Sequence, residues 1–252
     1  MSEPQGRSEG EQHALLRVEQ LQAGYGLLKA VRSVSFECSQ GEVLALVGAN
    51  GAGKTTLMRT IAGAHPASAG RIVFDGHDIT ALRAPRRVGL GIAMVPEGRR
   101  LFGGMSVEDN LRVAGMRARK GPWNLESVLE AFPQLKPKLK AAAGTLSGGQ
   151  QQATAIARAL MTNPRVLLLD EISLGLSPIA VDQVYESLQG LIRAGTTLVL
   201  VEQDLTRALK VADRVVCMLE GGIPLQGARD DLSREHIMDA YFGLSRSPQA
   251  AH

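Results

Sequence analysis

The sequence predicts an α/β fold built on a mostly parallel sheet, and three observations carry that prediction. Val166–Asp170, Thr197–Glu202 and Arg214–Leu219 are nearly continuous apolar runs. Strands covered on both faces read this way, whereas half-exposed strands alternate. Ile179 to Arg193 is an amphipathic helix between the first two runs. Its Val184, Leu188, Leu191 and Ile192 keep helical spacing, and Gly195 lies just past its end. Finally, the apolar run Glu42 to Val47 passes directly into a glycine-rich loop and then into a helical pattern, Thr55 to Ala64, with Leu57, Ile61 and Ala64 on one face. Strands that alternate with helices favour parallel pairing, because parallel neighbours need a crossover connection.

The remaining segments follow from local pattern. Residues 14–47 alternate polar and apolar character between turn signals, which predicts short strands ahead of the glycine loop. The stretch 98–145 has little strand character. It carries scattered glycines, Pro122, Pro133 and Pro137, and basic residues at Lys136, Lys138 and Lys140, and it reads as a mostly helical insertion. The expected organisation is a flexible tail at 1–13, a single domain at 14–243 and a second tail at 244–252. The domain has a core of 14–97 and 146–243 and a helical subdomain at approximately 98–145.

Composition narrows the function classes. The chain has 252 residues, enough for one large core, with 44% hydrophobic and 21% charged residues. The net charge of +3 arises from 28 basic and 25 acidic residues that are spread out. No basic block argues for nucleic acid, so none is expected as a partner. Cys38 and Cys217 sit in apolar strand-like runs without metal or redox spacing and read as buried free thiols. Met1 to Gln12 lacks the apolar centre of a signal peptide. No apolar run approaches the ~20 residues of a membrane span.

Three segments carry chemistry. In Gly48-Ala49-Asn50-Gly51-Ala52-Gly53-Lys54-Thr55, small residues let backbone N–H groups face phosphate oxygens. Lys54 then reaches the β- and γ-phosphates, Thr55 offers its hydroxyl to Mg²⁺, and Thr56 supports the α-phosphate at the helix start. Val166–Asp170 followed by Glu171 sets two carboxylates at the carboxyl edge of the sheet, where open α/β folds bind ligands. Asp170 is suited to hold Mg²⁺ through water and Glu171 to polarise an attacking water. In Leu146-Ser147-Gly148-Gly149-Gln150 a hydroxyl and two glycines precede a helix whose Ala153, Ile156, Ala157, Leu160 and Met161 share a face. A helix start of this kind is a ready anion site.

The order and spacing of these segments resemble the nucleotide-binding subunit of ATP-binding-cassette (ABC) transporters, over about residues 15 to 243. Gly48–Thr55 is similar to the family's Walker A loop, Val166–Asp170 to Walker B, Leu146–Gln150 to the signature and Ser173–Leu176 to the D-loop. The resemblance implies a P-loop (RecA-like) core, an N-terminal antiparallel β subdomain and an inserted helical subdomain. ATP and Mg²⁺ would be the cofactors. Tyr25, between Gly24 and Gly26, sits where the family places an aromatic that stacks on adenine. The resemblance also implies a dimer in which Ser147 and Gly149 of one subunit act on the nucleotide of the other.

Departures from the general pattern point within the family. Glu97 stands at the usual Gln of the Q-loop, in Val95-Pro96-Glu97-Gly98-Arg99-Arg100, and Gln203 at the usual switch His. Both are similar to the LivF-type ATPase of branched-chain amino acid importers, as is the ending Ala240-Tyr241-Phe242-Gly243. Gln203 carries no charge, so it would orient or donate a hydrogen bond to the γ-phosphate. Glu97 would either ligate Mg²⁺ or sense the membrane partner. Ile172 replaces the subfamily's usual Pro, which removes a rigid φ constraint beside Glu171 and predicts looser placement of the base. Leu101, Phe102 and Met105 lie where the family accepts a short helix of the membrane subunit.

The implied function is an ATPase on the cytoplasmic face of the cell membrane, powering uptake of branched-chain amino acids or a related small solute. Permease subunits and a second ATPase (a sister chain or another copy) would be its direct partners, and a solute-binding protein an indirect one. The alternative is a non-transport ABC-type ATPase acting on ribosomes or DNA. Those relatives need two cassettes or a long coiled-coil insertion. Here only 93 positions separate Lys54 from Ser147, and 23 separate Ser147 from Asp170. A P-loop kinase or GTPase would leave Leu146–Gln150 unexplained.

Overall fold

The computed structural model describes residues 14–116 and 118–244. The tails expected at 1–13 and, past Leu244, at the C-terminus lie outside the described residues. In chain order the elements begin with β1 (Ala14–Tyr25), β2 (Leu28–Ser39), β3 (Val43–Val47), α1 (Lys54–Ile61), β4 (Ala69–Phe74) and β5 (His77–Asp78). Next come α2 (Ala84–Leu90), β6 (Ile92–Val95), α3 (Val107–Gly115), α4 (Leu125–Ala131) and α5 (Gly148–Leu160). The chain continues with β7 (Val166–Asp170), α6 (Pro178–Arg193), β8 (Thr197–Glu202), α7 (Leu205–Val211), β9 (Arg214–Leu219), β10 (Gly222–Ala228) and α8 (Arg234–Phe242).

Two sheets organise these elements. One has the order β10-β9-β3-β8-β7-β6 and is parallel except for β10. Every residue of β3, β7 and β8 is buried, as their unbroken apolar sequences require. The other sheet, β2-β1-β4-β5, is antiparallel, and β1 alternates between buried and half-exposed positions over much of its length. Helix α1 packs between the sheets, where Leu57, Met58 and Ile61 join Leu16, Leu21, Leu46 and Val199 in one core. On the far side of the parallel sheet, Leu111, Phe132, Ile156, Leu160 and Leu188 form a second core from α3 to α6. A third, smaller core joins Val47, Val215 and Cys217 to α7 and α8 through Ala208 and Ile237.

Several expectations need correction. The strands before the glycine loop are long: β1 and β2 have 12 residues each and form a hairpin with Tyr25 paired to Leu28. Irregular register along the hairpin, with Gln20 (φ 44°) and Ser33 (φ 54°) in the left-handed region, breaks the period and makes the pattern look like shorter pieces. The first helix ends at Ile61, because Gly63 turns at φ +75° and Ala64 is exposed. Strand β6 is only four residues long and was hidden between α2 and the Pro96 turn. Within 98–145 the regular elements are α3, α4 and two 3-10 turns, Pro133–Lys138 and Ala143–Thr145. Both cysteines are buried free thiols, with burial pushing Cys38 up to about 12 and Cys217 up to about 11.

Candidate active site

The functional side chains converge where β3, β7 and β8 end. Beyond Val47 the chain enters the glycine loop, and close approach of neighbouring backbone dictates two of its residues. A Cβ on Gly48 (φ +155°) would lie 2.2 Å from the Met218 carbonyl oxygen, and one on Gly53 (φ +99°) would lie 2.1 Å from that of Ala30. Only glycine fits either position. The loop then delivers Lys54 as the first residue of α1.

Lys54 is 3% exposed. Its Nζ donates to the carbonyls of Gly48 (2.7 Å) and Ala49 (2.9 Å) and lies 4.0 Å from Glu171 Oε1. Burial holds its pKa below the ordinary lysine value, against the opposing pull of Glu171 and Asp170. A buried ammonium satisfied mainly by neutral carbonyls would gain from exchanging them for anionic oxygens.

Asp170 closes β7 and is fully buried. Its Oδ1 accepts a hydrogen bond from Thr55 Oγ1 at 3.2 Å, while Oδ2 has no partner. Burial raises its pKa to about 6, and the charges of Glu171 and Glu97 add to the rise. The Thr55 bond and Lys54 oppose it. A buried, unpartnered carboxylate oxygen beside a hydroxyl suits a small divalent cation that takes its other ligands from water and substrate. Among the described residues no group of three or more His, Cys, Asp or Glu could hold a metal by itself, so an all-protein cage is not what this site offers.

Glu171 adopts φ +48°, a region that non-glycine residues enter only when their surroundings force it. Its N–H donates to the Val201 carbonyl (3.1 Å), and its Oε2 accepts from Gln203 Nε2 (2.7 Å). Gln203 is therefore bonded to the carboxylate beside it rather than pointing free. Ile172, at the position where looser placement of the base is expected, is 1% exposed and belongs to the same core as Leu169 and Leu200.

Two clefts flank these groups. Tyr25, Asn50, Gly51, Lys54, Thr56 and Glu171 are among the lining of one of about 260 Å³. Half-exposed Tyr25 faces the His65 ring with centroids 4.5 Å apart, and His65 Nε2 contacts the Gly24 carbonyl. His65 escaped notice in the sequence, where it is a lone histidine in a turn. Glu97 is exposed and joins Thr55, Arg59, Arg100 and Asp170 around a second cleft of about 710 Å³. A larger depression of about 840 Å³ near Gly63, Asp78 and Arg87 lies elsewhere. The guanidinium of Arg87 is consumed there by the carbonyls of Thr60, Ile61, Thr80 and Leu82.

Leu146–Gln150 is not part of either cleft. Ser147 caps α5, with its Oγ accepting from Gln150 N (3.3 Å) while the Gln150 side chain accepts from Ser147 N (3.2 Å). The two glycines have a packing reason that the sequence did not reveal. A Cβ on Gly149 would come within 2.8 Å of Ala180 Cβ on α6, and one on Gly148 within 3.1 Å of Leu176 Cδ2. Nearby, Gly98, Arg99 and Arg100 all have positive φ. Arg99 bonds Gln151 Oε1 (3.0 Å), and the Arg158 guanidinium sits 5.6 Å over the ring of half-exposed Phe102.

Sequence reasoning also missed Glu202. It appears in the sequence only as the last residue of the run Thr197–Glu202, yet it is 2% exposed and accepts from Ser173 Oγ at 2.7 Å.

Similarity to known proteins agrees with this geometry. Residues 31–173 match the family described as ABC transporter. A high-affinity branched-chain amino acid transport ATP-binding protein, BraG of Pseudomonas aeruginosa, is 42% identical over 91% of this chain and all of its own length. A probable branched-chain amino acid transport ATP-binding protein, LivF of Archaeoglobus fulgidus, is 34% identical over 86% of this chain and 94% of its own. Among solved structures, a nucleotide-free ATP-binding cassette from an ABC transporter superposes with a TM-score of 0.78 at 28% identity, covering 90% of this chain and 94% of that one. By family match, by length-wide identity and by fold, the chain belongs to the ABC transporter family.

Proposed function

We propose that this chain is the ATP-binding and ATP-hydrolysing subunit of an importer, powering uptake of branched-chain amino acids or a related small solute. The observation that carries the reading is the convergence of Lys54, Thr55, Asp170, Glu171 and Gln203 at one sheet edge. The similarity to branched-chain amino acid transport ATP-binding proteins supports the solute class.

The roles follow from the chemistry. The loop Gly48–Gly53 and the start of α1 cradle the phosphates, with Lys54 leaving its loop carbonyls for phosphate oxygens and Thr56 supporting the α-phosphate. Tyr25 stacks on the adenine. Mg²⁺ would be held by Thr55 and Asp170, with Glu97 facing the same cleft, and would neutralise charge on the phosphates. Glu171 accepts a proton from the attacking water, and Gln203 fixes the orientation of that carboxylate. Ser147, Gly148, Gly149 and Gln150 serve the nucleotide of a second subunit, a sister ATPase or another copy. Outside both clefts of their own chain, they are free to face a partner.

The working unit is residues 14–243, with 98–145 as a helical subdomain whose Leu101, Phe102 and Met105 accept a helix of the permease. Among the described residues no helix is long and apolar enough to cross a membrane. The similarity to transport ATP-binding proteins supports a peripheral place on the cytoplasmic face, against the permease. Purification from detergent-solubilised native membranes should recover two permease subunits and a second ATPase. Phe102→Glu should release them while ATP binding persists. Recovery of the chain with ribosomal or DNA-repair proteins and no permease would overturn the import reading.

A further inference from the structure

The structure holds a buried acid that the roles above do not use. Glu202 ends β8, is 2% exposed, and stands immediately before Gln203. Its Oε2 accepts from Ser173 Oγ at 2.7 Å. Its Oε1 is buried without a hydrogen-bond partner, as is the hydroxyl of Tyr185 on α6. One carboxylate thus joins two segments, the turn Glu171–Leu176 and the end of β8.

Resting on the ATPase reading above, we propose that Glu202 is a positioning residue for hydrolysis, tying the turn that carries Glu171 to the strand end that carries Gln203. One observation makes this more than structural glue. Glu171 is held at φ +48°, bonded at one end to Val201 and at the other to Gln203. Its orientation therefore depends on how the turn and the end of β8 are fixed to each other, and Ser173–Glu202 is the side-chain bond between them two residues beyond Glu171. Burial raises the Glu202 pKa from its ordinary value, and the Ser173 hydroxyl that donates to it opposes the rise.

The test is made in whichever complex the parent chain turns over ATP, at a temperature where every variant is fully folded. Glu202→Met should lower kcat by about 10- to 100-fold, the scale of a misplaced catalytic group. KM for ATP should stay within about twofold, while the melting temperature should fall modestly because the Ser173 hydroxyl loses its acceptor. Glu202→Gln, whose amide oxygen still accepts from Ser173, should recover most of the rate. Ser173→Ala should slow turnover, and the Glu202→Met/Ser173→Ala double variant should be no slower than Glu202→Met alone. A folded Glu202→Met variant that matches the parent in kcat overturns the inference, and so does a KM for ATP that rises as much as kcat falls. A parent without ATPase activity that Glu171→Gln removes would instead overturn the functional reading itself, and this inference with it.

Discussion

The sheet edge around Lys54 and the start of α5 around Ser147 are built in opposite ways. At the sheet edge the groups are buried or half-buried and hydrogen-bonded within the chain: Lys54 to loop carbonyls, Asp170 to Thr55, Glu171 to Gln203, Glu202 to Ser173. At the start of α5, Ser147 is exposed and its side chain is engaged only in the capping box of its own helix. The first region is preorganised, with its donors and acceptors at fixed distances before any ligand arrives. The second is a surface whose glycines serve close packing against α6 and Leu176 and whose hydroxyl is turned outward. Groups tied together at one sheet edge thus coexist with a surface that lines neither cleft of the same chain. That difference suits the proposed action of Ser147 on the nucleotide of a second subunit.

The largest expected effect breaks the preorganised side. Glu171→Gln removes the proposed base while keeping its size and an oxygen to accept from Gln203. Turnover should fall by roughly 10²- to 10⁴-fold while nucleotide binding survives and a closed dimer accumulates, read by steady-state ATPase and size-exclusion chromatography with ATP. Parent-rate turnover would identify another base. The other side is broken by Ser147→Arg, which should cost about 10³-fold in hydrolysis, on the scale of other trans-acting groups in phosphoryl transfer. Nucleotide affinity of the same chain should not change. Equal loss of binding would place Ser147 in its own chain's site.

A smaller effect sharpens the comparison through its sign. The folded-state pKa of Asp170 is raised from 3.8 to about 6. Its ionised form is therefore a burden on the nucleotide-free fold, absent below pH 3.8 and complete above pH 6. Asp170→Asn should stabilise the nucleotide-free chain at pH 7.5 by about 2–3 kcal/mol, and the gain should shrink as pH is lowered toward 5. The same variant should lose Mg²⁺-dependent nucleotide affinity. Thermal denaturation at both pH values decides it, and a destabilised variant at pH 7.5 would show that the charge is compensated. The smallest effect concerns Tyr25, whose removal as Tyr25→Ala should weaken ATP binding by about tenfold, the lower range of base–aromatic stacking. An unchanged affinity in a titration with fluorescent nucleotide would free Tyr25 from that role.

Much of the molecule was legible in the chain. Parallel strands buried on both faces leave unbroken apolar runs, so β7, β8 and β9 could be bounded to the residue. The glycine loop was legible because its backbone permits no side chain at Gly48 or Gly53, which leaves a mark in the composition itself. Where sequence and structure parted, the cause was contact with distant segments. Strand β6 sits at the sheet edge, paired with β7 alone, and its four residues are bounded by Gly91 and Pro96. The tight approach of Ala180 on α6 to Gly149 and the burial of Ile172 likewise depend on segments distant from each residue and leave no local mark.

The sequence by itself determined the fold class, the phosphate loop, the paired carboxylates and the capped helix of Leu146–Gln150, because each is a local pattern: a period, a required glycine, a cap. Only the tertiary structure decided the electrical state of those groups. Nothing local distinguishes Glu202 from a solvated acid, or tells that Asp170 carries an unpartnered oxygen and Lys54 rests on backbone carbonyls. Burial and partner distance are properties of segments far apart in the chain, and they set the strength of every charge in the site.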